Sequence, residues 1–285
     1  MASLREIRKR LNSVENIQQL TKAMEMVAAS HLHHALVKRK QVVTYTAKLK
    51  EIVNQLALSL KDITHPLLEK KAAKKIGLIV IGSDMGLSGP YNKDIFSATR
   101  KFLKKYSLEQ VELILIGRKA LEHYANKEWT VRHKIPHMQG ALTFLEMKQL
   151  TNELTGWFLS GQLDEIWCVY THYINMFSRP ILIEKLLSIE EPQSTEQVTT
   201  LDYILEPTPA EVYADVLQRY CTAKVQTFLY EAYASELASR VFAMKTATKN
   251  ADDVIERLTL VRNKVRQAEI TKEMLEITSG SEVSK

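Results

Sequence analysis

No proline precedes Pro66 and none follows Pro209, and of nine glycines only Gly280 lies outside the span from Gly77 to Gly161. In a helix interior Gly costs about 1 kcal/mol and Pro about 3 kcal/mol, so neither terminal stretch contains anything that forbids one long helix. Apolar runs are short: none reaches the roughly 18 residues that a membrane span needs. The opening MASLREIRKR has cations without an apolar core behind them, so it does not read as a signal peptide, and no Ser- and Arg-rich import leader is seen. Cys168 and Cys221 are the only cysteines, too few for a disulfide framework and not in a CxxC pair, as expected in a reducing cytoplasm. The net charge of +6 is modest. It suits an acidic protein partner or an anionic surface and does not by itself indicate nucleic acid.

The termini carry helix start signals. Ser3 and Glu6 form a capping box, and so do Thr208 and Glu211, with Pro209 at the first helical position. At about 1.5 Å per residue the two helices would be roughly 80 and 105 Å long, too long for a domain of this size to contain, so they are expected to project. In the second, Ala251, Val254, Leu258, Val261, Val265, Ala268 and Leu275 follow heptad spacing, interrupted by Lys272. In the first, Leu4, Ile7, Leu11 and Val14 do so, and the series restarts three residues out of phase at Ile17, Leu20, Met24 and Val27. The expectation is an antiparallel coiled coil of the two termini, the alternative a bundle folded back on the middle.

The middle reads as α/β. The runs at 76–82, 111–117, 164–173 and 181–189 look like strands, with helical patterns around 92–105, 118–126 and 143–160. Such alternation predicts a parallel, doubly wound, Rossmann-like sheet. The domain boundaries follow: an N-terminal coiled-coil helix over 1–62, a central α/β domain over 75–206 and a C-terminal coiled-coil helix over 208–280.

Several patterns could carry chemistry. Gly82, Gly86 and Gly89 sit between a strand and a helix, the context of a phosphate loop, but the spacing fits neither the dinucleotide fingerprint nor the P-loop. A tight turn explains them equally well. Tyr220 and Lys224 match the Y-x-x-x-K pair of short-chain dehydrogenases but lie on the C-terminal helix. His31, His33 and His34 have no Cys or carboxylate close by and read as a surface cluster, not a metal site. The basic runs REIRKR (5–10) and VKRK (37–40) lack interleaved aromatics, so they read as solvated flanks or contacts to an acidic protein loop before nucleic-acid contacts. No catalytic constellation emerges.

Three segments carry a family resemblance. LREIRKRLNSVENIQQLTKAMEMVAAS (4–30) resembles the N-terminal signature of the gamma subunit of F-type (rotary) ATP synthase. DYILEPTP (202–209) and ASRVFAMKTATKNADDVIERLTLVRNKVRQAEITKEMLEI (238–277) resemble its C-terminal signature, and GLIVIGSDMGLSGPYN (77–92) its strand and Gly-rich turn. The resemblance runs end to end.

It implies a central rotor shaft without catalytic residues, cofactor or metal. The shaft would couple proton flow through the membrane c-ring to ATP synthesis or hydrolysis on the beta subunits. Implied partners are the alpha and beta subunits, the epsilon subunit and the c-ring, with no nucleic acid and no direct membrane insertion. The implied place is peripheral, on the cytoplasmic face of a bacterial inner membrane. By position in the signatures, Met24 and Arg240 face the acidic loop of beta, and Arg266, Gln267, Thr271 and Glu273 make the upper polar contacts with beta. The methionines and small residues of TKAMEMVAAS (21–30) suit a bearing surface that meets several partners. Ser88, Pro90 and Tyr91 depart from the usual Cys, Gly and Leu of the turn, and His31 stands where Lys is common. The rival readings are a dinucleotide-dependent oxidoreductase using the Gly-rich turn and a coiled-coil nucleic-acid adaptor.

Overall fold

A serine and a glutamate three residues apart open the first helix. The Ser3 hydroxyl accepts the Glu6 amide at 3.3 Å while the Glu6 carboxylate accepts the Ser3 amide at 3.2 Å, the reciprocal capping box. The computed structural model describes residues 3–59, 65–69, 71–137, 143–189 and 205–283. Met1, Ala2, residues 60–62 and the 202–204 part of DYILEPTP lie outside the described residues.

The elements in chain order are α1 (Leu4–Ser59), a 3-10 turn (Pro66–Leu68), β1 (Ile76–Ile81), α2 (Tyr91–Leu103), β2 (Val111–Ile116) and α3 (Arg118–Tyr124). Then come β3 (Thr130–Ile135), α4 (Phe144–Leu159), β4 (Glu165–Thr171), β5 (Ile181–Leu187) and α5 (Pro209–Val283). The α5 start is capped by Thr208, whose hydroxyl accepts the Glu211 amide at 3.3 Å. Two compact units result, Met1–Ala29 with Arg240–Lys285, and Ser30–Ser239.

The second unit is built on a five-stranded sheet of order β3-β2-β1-β4-β5. The first four strands run parallel, but β5 pairs antiparallel with β4, so the sheet is mixed where an all-parallel one was expected. Loop length is the reason. Only residues 172–180 join β4 to β5, enough for a hairpin and too few for a helical crossover. β3, absent from the sequence reading, is a polar edge strand. Its Arg132 pairs with Glu112 of β2, and its His133 lies 3.3 Å from Glu153 of α4.

Alternate strand residues feed two cores, as the two-residue period of a strand demands. Ile76, Leu78 and Val80 of β1 pack with Val111, Leu113 and Leu115 of β2 beneath Ile95 and Phe96 of α2 and Tyr124 of α3. Ile79, Ile81, Ile114 and Ile116 face the other way, onto Leu150, Leu154 and Phe158 of α4 and onto Leu217, Phe228 and Ala232 of α5. Gly117 links β2 to α3 at φ 91, and a Cβ there would stand 2.2 Å from the Gly82 carbonyl oxygen.

Candidate functional site: a helix pair and a clasp

In the first unit, the start of α1 pairs with the latter part of α5. Ile7, Leu11, Thr21 and Ala28 are buried on one side and Val241, Met244 and Ala251 on the other. Their spacing is an unbroken alternation of threes and fours, with half-buried Val14 and Gln18 in step. The sense is antiparallel: the Thr21 and Thr248 hydroxyls meet at 2.8 Å, and the Gln18 amide donates to Asp252.

This corrects the phase restart expected at Ile17. Ile17, Leu20 and Val27 are 53%, 55% and 58% exposed, and Met24 is half-buried. The seam continues through polar Gln18 and Thr21, whose hydrogen bonds fix the register, as buried polar groups do in coiled coils. The expected α5 series is corrected likewise. Ala251, Leu258 and Val265 of that series lie on the seam, but Val254 and Val261 are exposed, and half-buried Ile255 and Arg262 take the positions between. The apolar letters that looked like a second stretch of seam are an outward stripe.

In the second unit, α5 lies across the carboxyl ends of β1 and β4, the crevice where open α/β sheets receive their ligands. The Tyr91 hydroxyl donates to the Ala232 carbonyl at 3.1 Å, the Ser235 hydroxyl to Thr171 at 3.0 Å and the Ser239 hydroxyl to Ser88 at 2.7 Å. Residues 231, 235 and 239 repeat every four positions and so share one helix face. The small side chains of Ala232, Ser235 and Ser239 let the helix come close.

The Gly-rich turn spends its polar groups internally. The Ser83 amide donates to Asn92 at 3.0 Å, and Asp84 receives the Arg118 amide at 3.2 Å. The turn therefore holds a helix; the Tyr91 departure takes part through its hydroxyl, whereas Ser88 contributes only its backbone carbonyl. Lys224 donates to the Lys185 carbonyl at 2.7 Å, which ties α5 to β5.

Glu231 closes the clasp. Its carboxylate lies 2.7 Å from the Arg39 guanidinium of α1 and 3.2 Å from His172, and it accepts the Tyr173 amide at 2.8 Å. Arg39 also donates to the Tyr173 carbonyl at 2.9 Å. Sequence reasoning missed this pair, because Arg39 sits inside the VKRK run. Burial pushes the Cys168 thiol well above its ordinary range and the Cys221 thiol up to about 12, so neither forms a thiolate at neutral pH. Among the described residues no His, Cys, Asp and Glu cluster could hold a metal, and His31, His33 and His34 are exposed. No helix among them is long and apolar enough to cross a membrane.

The ATP synthase family model matches residues 3–283. Over 282 residues the chain is 57% identical to the ATP synthase gamma chain of Protochlamydia amoebophila, covering 99% of each. The chain belongs to the ATP synthase gamma-chain family. The Desulfitobacterium hafniense gamma chain is 38% identical over 282 residues, again 99% of each chain. Among solved structures, a chain of the Euglena gracilis mitochondrial ATP synthase (OSCP/F1/c-ring, rotational state 3) shares the fold, with a TM-score of 0.65 at 19% identity. That match covers 98% of this chain and 94% of the other.

Against the gamma-chain signatures, the residues singled out in the sequence fall in the first unit. Met24 and Arg240 are half-buried, and Arg266, Gln267, Thr271 and Glu273 are exposed. Gln18 opposite Asp252 places Leu4, the start of α1, level with about residue 266, by counting along an antiparallel pair. The last four of these residues therefore stand at or beyond the reach of α1, and the Thr271 hydroxyl turns back to the Gln267 carbonyl at 2.9 Å.

Proposed function

We propose that this gamma chain is the central rotor shaft of an F-type ATP synthase and couples proton flow through a membrane c-ring to ATP turnover on beta subunits. The observation that carries the reading is the register-locked pair of helices whose outer face keeps an apolar stripe, Ile17, Leu20 and Val27. A shaft must hold its own strands in register and still offer neighbours a surface that does not lock. The inner seam does the first with Gln18 and Thr21, and the outer stripe supplies the second.

The partners are alpha and beta subunits around the helix pair, an epsilon subunit and the c-ring. Met24 and Arg240 meet the acidic loop of beta, and Arg266, Gln267, Thr271 and Glu273 meet beta higher up. The functional parts are the helix of 1–62, the α/β domain of 75–206 and the helix of 208–280. The chain contributes no catalytic residue and sits peripherally on the cytoplasmic face of a bacterial inner membrane. The oxidoreductase alternative is disfavoured by α5, which occupies the crevice that a dinucleotide would need.

Removal of the residues after Gln267 tests this in the assembled enzyme. Coupling of ATP hydrolysis to proton pumping is expected to weaken while nucleotide binding to beta survives. Normal pumping after the deletion would count against the assigned contacts.

A further inference from the structure

The α2–α3 side of the second unit has a cavity of about 360 Å³, lined by those two helices and the loops that follow them. Small-molecule sites run from about 300 to 1,000 Å³. Three permanent cations border it: Arg100 of α2, Lys104 just after it, and Lys127 from the loop after α3. Among the described residues no carboxylate lines it. Of the acidic neighbours in sequence, Glu122 on α3 is engaged by Lys119 at 2.6 Å, and Glu128, between Lys127 and Trp129, is exposed.

A helix C-terminus attracts cations, which accounts for Arg100 and Lys104. The same holds for Lys127 past the end of α3, whose amide donates to the Tyr124 carbonyl at 3.2 Å, so the ends of two helices bring their cations to one cavity. The interior is aromatic. Tyr106 and Trp129 are half-buried walls, and His123 stacks on Phe96 with ring centroids 4.1 Å apart. Burial, then Lys127, then Arg100 push the His123 pKa below its ordinary value. Cations on the rim and flat π-faces inside match an anion that carries a planar ring.

The geometry points to a binding site for a small aromatic phosphate, a nucleoside mono- or diphosphate. Its phosphate would lie among Arg100, Lys104 and Lys127, and its base against Tyr106 and Trp129. The site is separate from the helix pair and goes beyond the rotor reading. It performs no reaction.

Equilibrium dialysis of the isolated full-length chain against ADP, adenosine and inorganic phosphate tests it. ADP is expected to bind at least tenfold more tightly than adenosine or phosphate, and Lys104→Gln with Lys127→Gln to weaken it at least tenfold. Both lysines are exposed, so the far-UV circular dichroism should not change. Trp129→Leu should weaken ADP more than it weakens phosphate. Equal retention of ADP by the double variant would overturn the proposal, as would equal binding of ADP and phosphate.

Discussion

Glu231 and Arg39 face each other at 2.7 Å, the carboxylate 2% exposed on α5 and the guanidinium reaching in from α1. The strand-end loop completes the contact through the Tyr173 amide and His172, so a single buried charge joins three parts of the second unit. Replacing a well-bonded buried pair with apolar groups is often neutral, but removing one partner strands the other.

Arg39→Met should therefore lower the unfolding free energy by about 3 kcal/mol. The double change Arg39→Met with Glu231→Leu should recover most of that loss. Urea titration of the single and double variants gives the coupling energy directly. An additive double variant would mean that the pair is not a unit.

Thr21 and Thr248 make the opposite trade inside the helix pair. Their mutual hydrogen bond at 2.8 Å occupies a seam position that Val would fill with apolar surface. Changing both to Val should leave helix content unchanged and raise the stability of the pair by about 1 kcal/mol, while loosening its register. Cysteines placed at 18 and 252, the pair that faces across the seam, and separately at 14 and 252, would read the register by disulfide trapping. The wild-type pair should favour one cross-link and the double Val variant should share between them.

Much of the fold was legible because its signals were local. The apolar runs of β1, β2, β4 and β5 needed no context, and Gly and Pro placement left the terminal helices whole. β3 was not legible: TVRHKI spends its side chains on Glu112 and Glu153 at a sheet edge and has no apolar run to show. The direction of β5 could have been read from the shortness of 172–180. The phase of the helix pair was misread for a physical reason. Counting apolar letters finds Ile17, Leu20 and Val27, while the true seam there runs through Gln18 and Thr21, chosen for hydrogen bonds that only a partner strand reveals. Arg39 was hidden similarly, one cation of a run whose neighbours Lys38 and Lys40 are exposed. The signal for the clasp was present as small residues at 232, 235 and 239, spaced to share a face.

The clasp between the Gly-rich turn and α5 should be sensitive to single atoms. Tyr91→Phe removes only the hydroxyl that the Ala232 carbonyl receives, and Ser239→Ala only the one that Ser88 receives. Each buried bond lost should cost about 1 kcal/mol. Because both act on one helix face against one turn, hydrogen exchange at the α5 amides near 232–239 should rise together in either variant. A rise confined to the altered residue would show that the turn and the helix are not held as one.

His65 gives the second unit a titratable cap. Its Nδ1 accepts the Leu67 amide at 3.2 Å, Leu67 is buried, and the Leu67 carbonyl in turn receives the Ile189 amide at 2.9 Å. Protonation would turn this acceptor into a donor and break the cap. Burial lowers the folded pKa below the ordinary 6.5. The sign follows by linkage. A depressed pKa means that the unfolded chain binds the proton more readily, so the stability is fully present above pH 6.5 and is lost as pH falls through the folded value. His123 shifts the same way, by burial first. His65→Asn keeps a side-chain acceptor at the cap without a proton to gain. Unfolding free energies measured from about pH 7 down to about pH 5 should therefore fall less steeply in His65→Asn than in the wild type, with a residual slope to which His123 contributes. Equal slopes would remove His65 from the acid response.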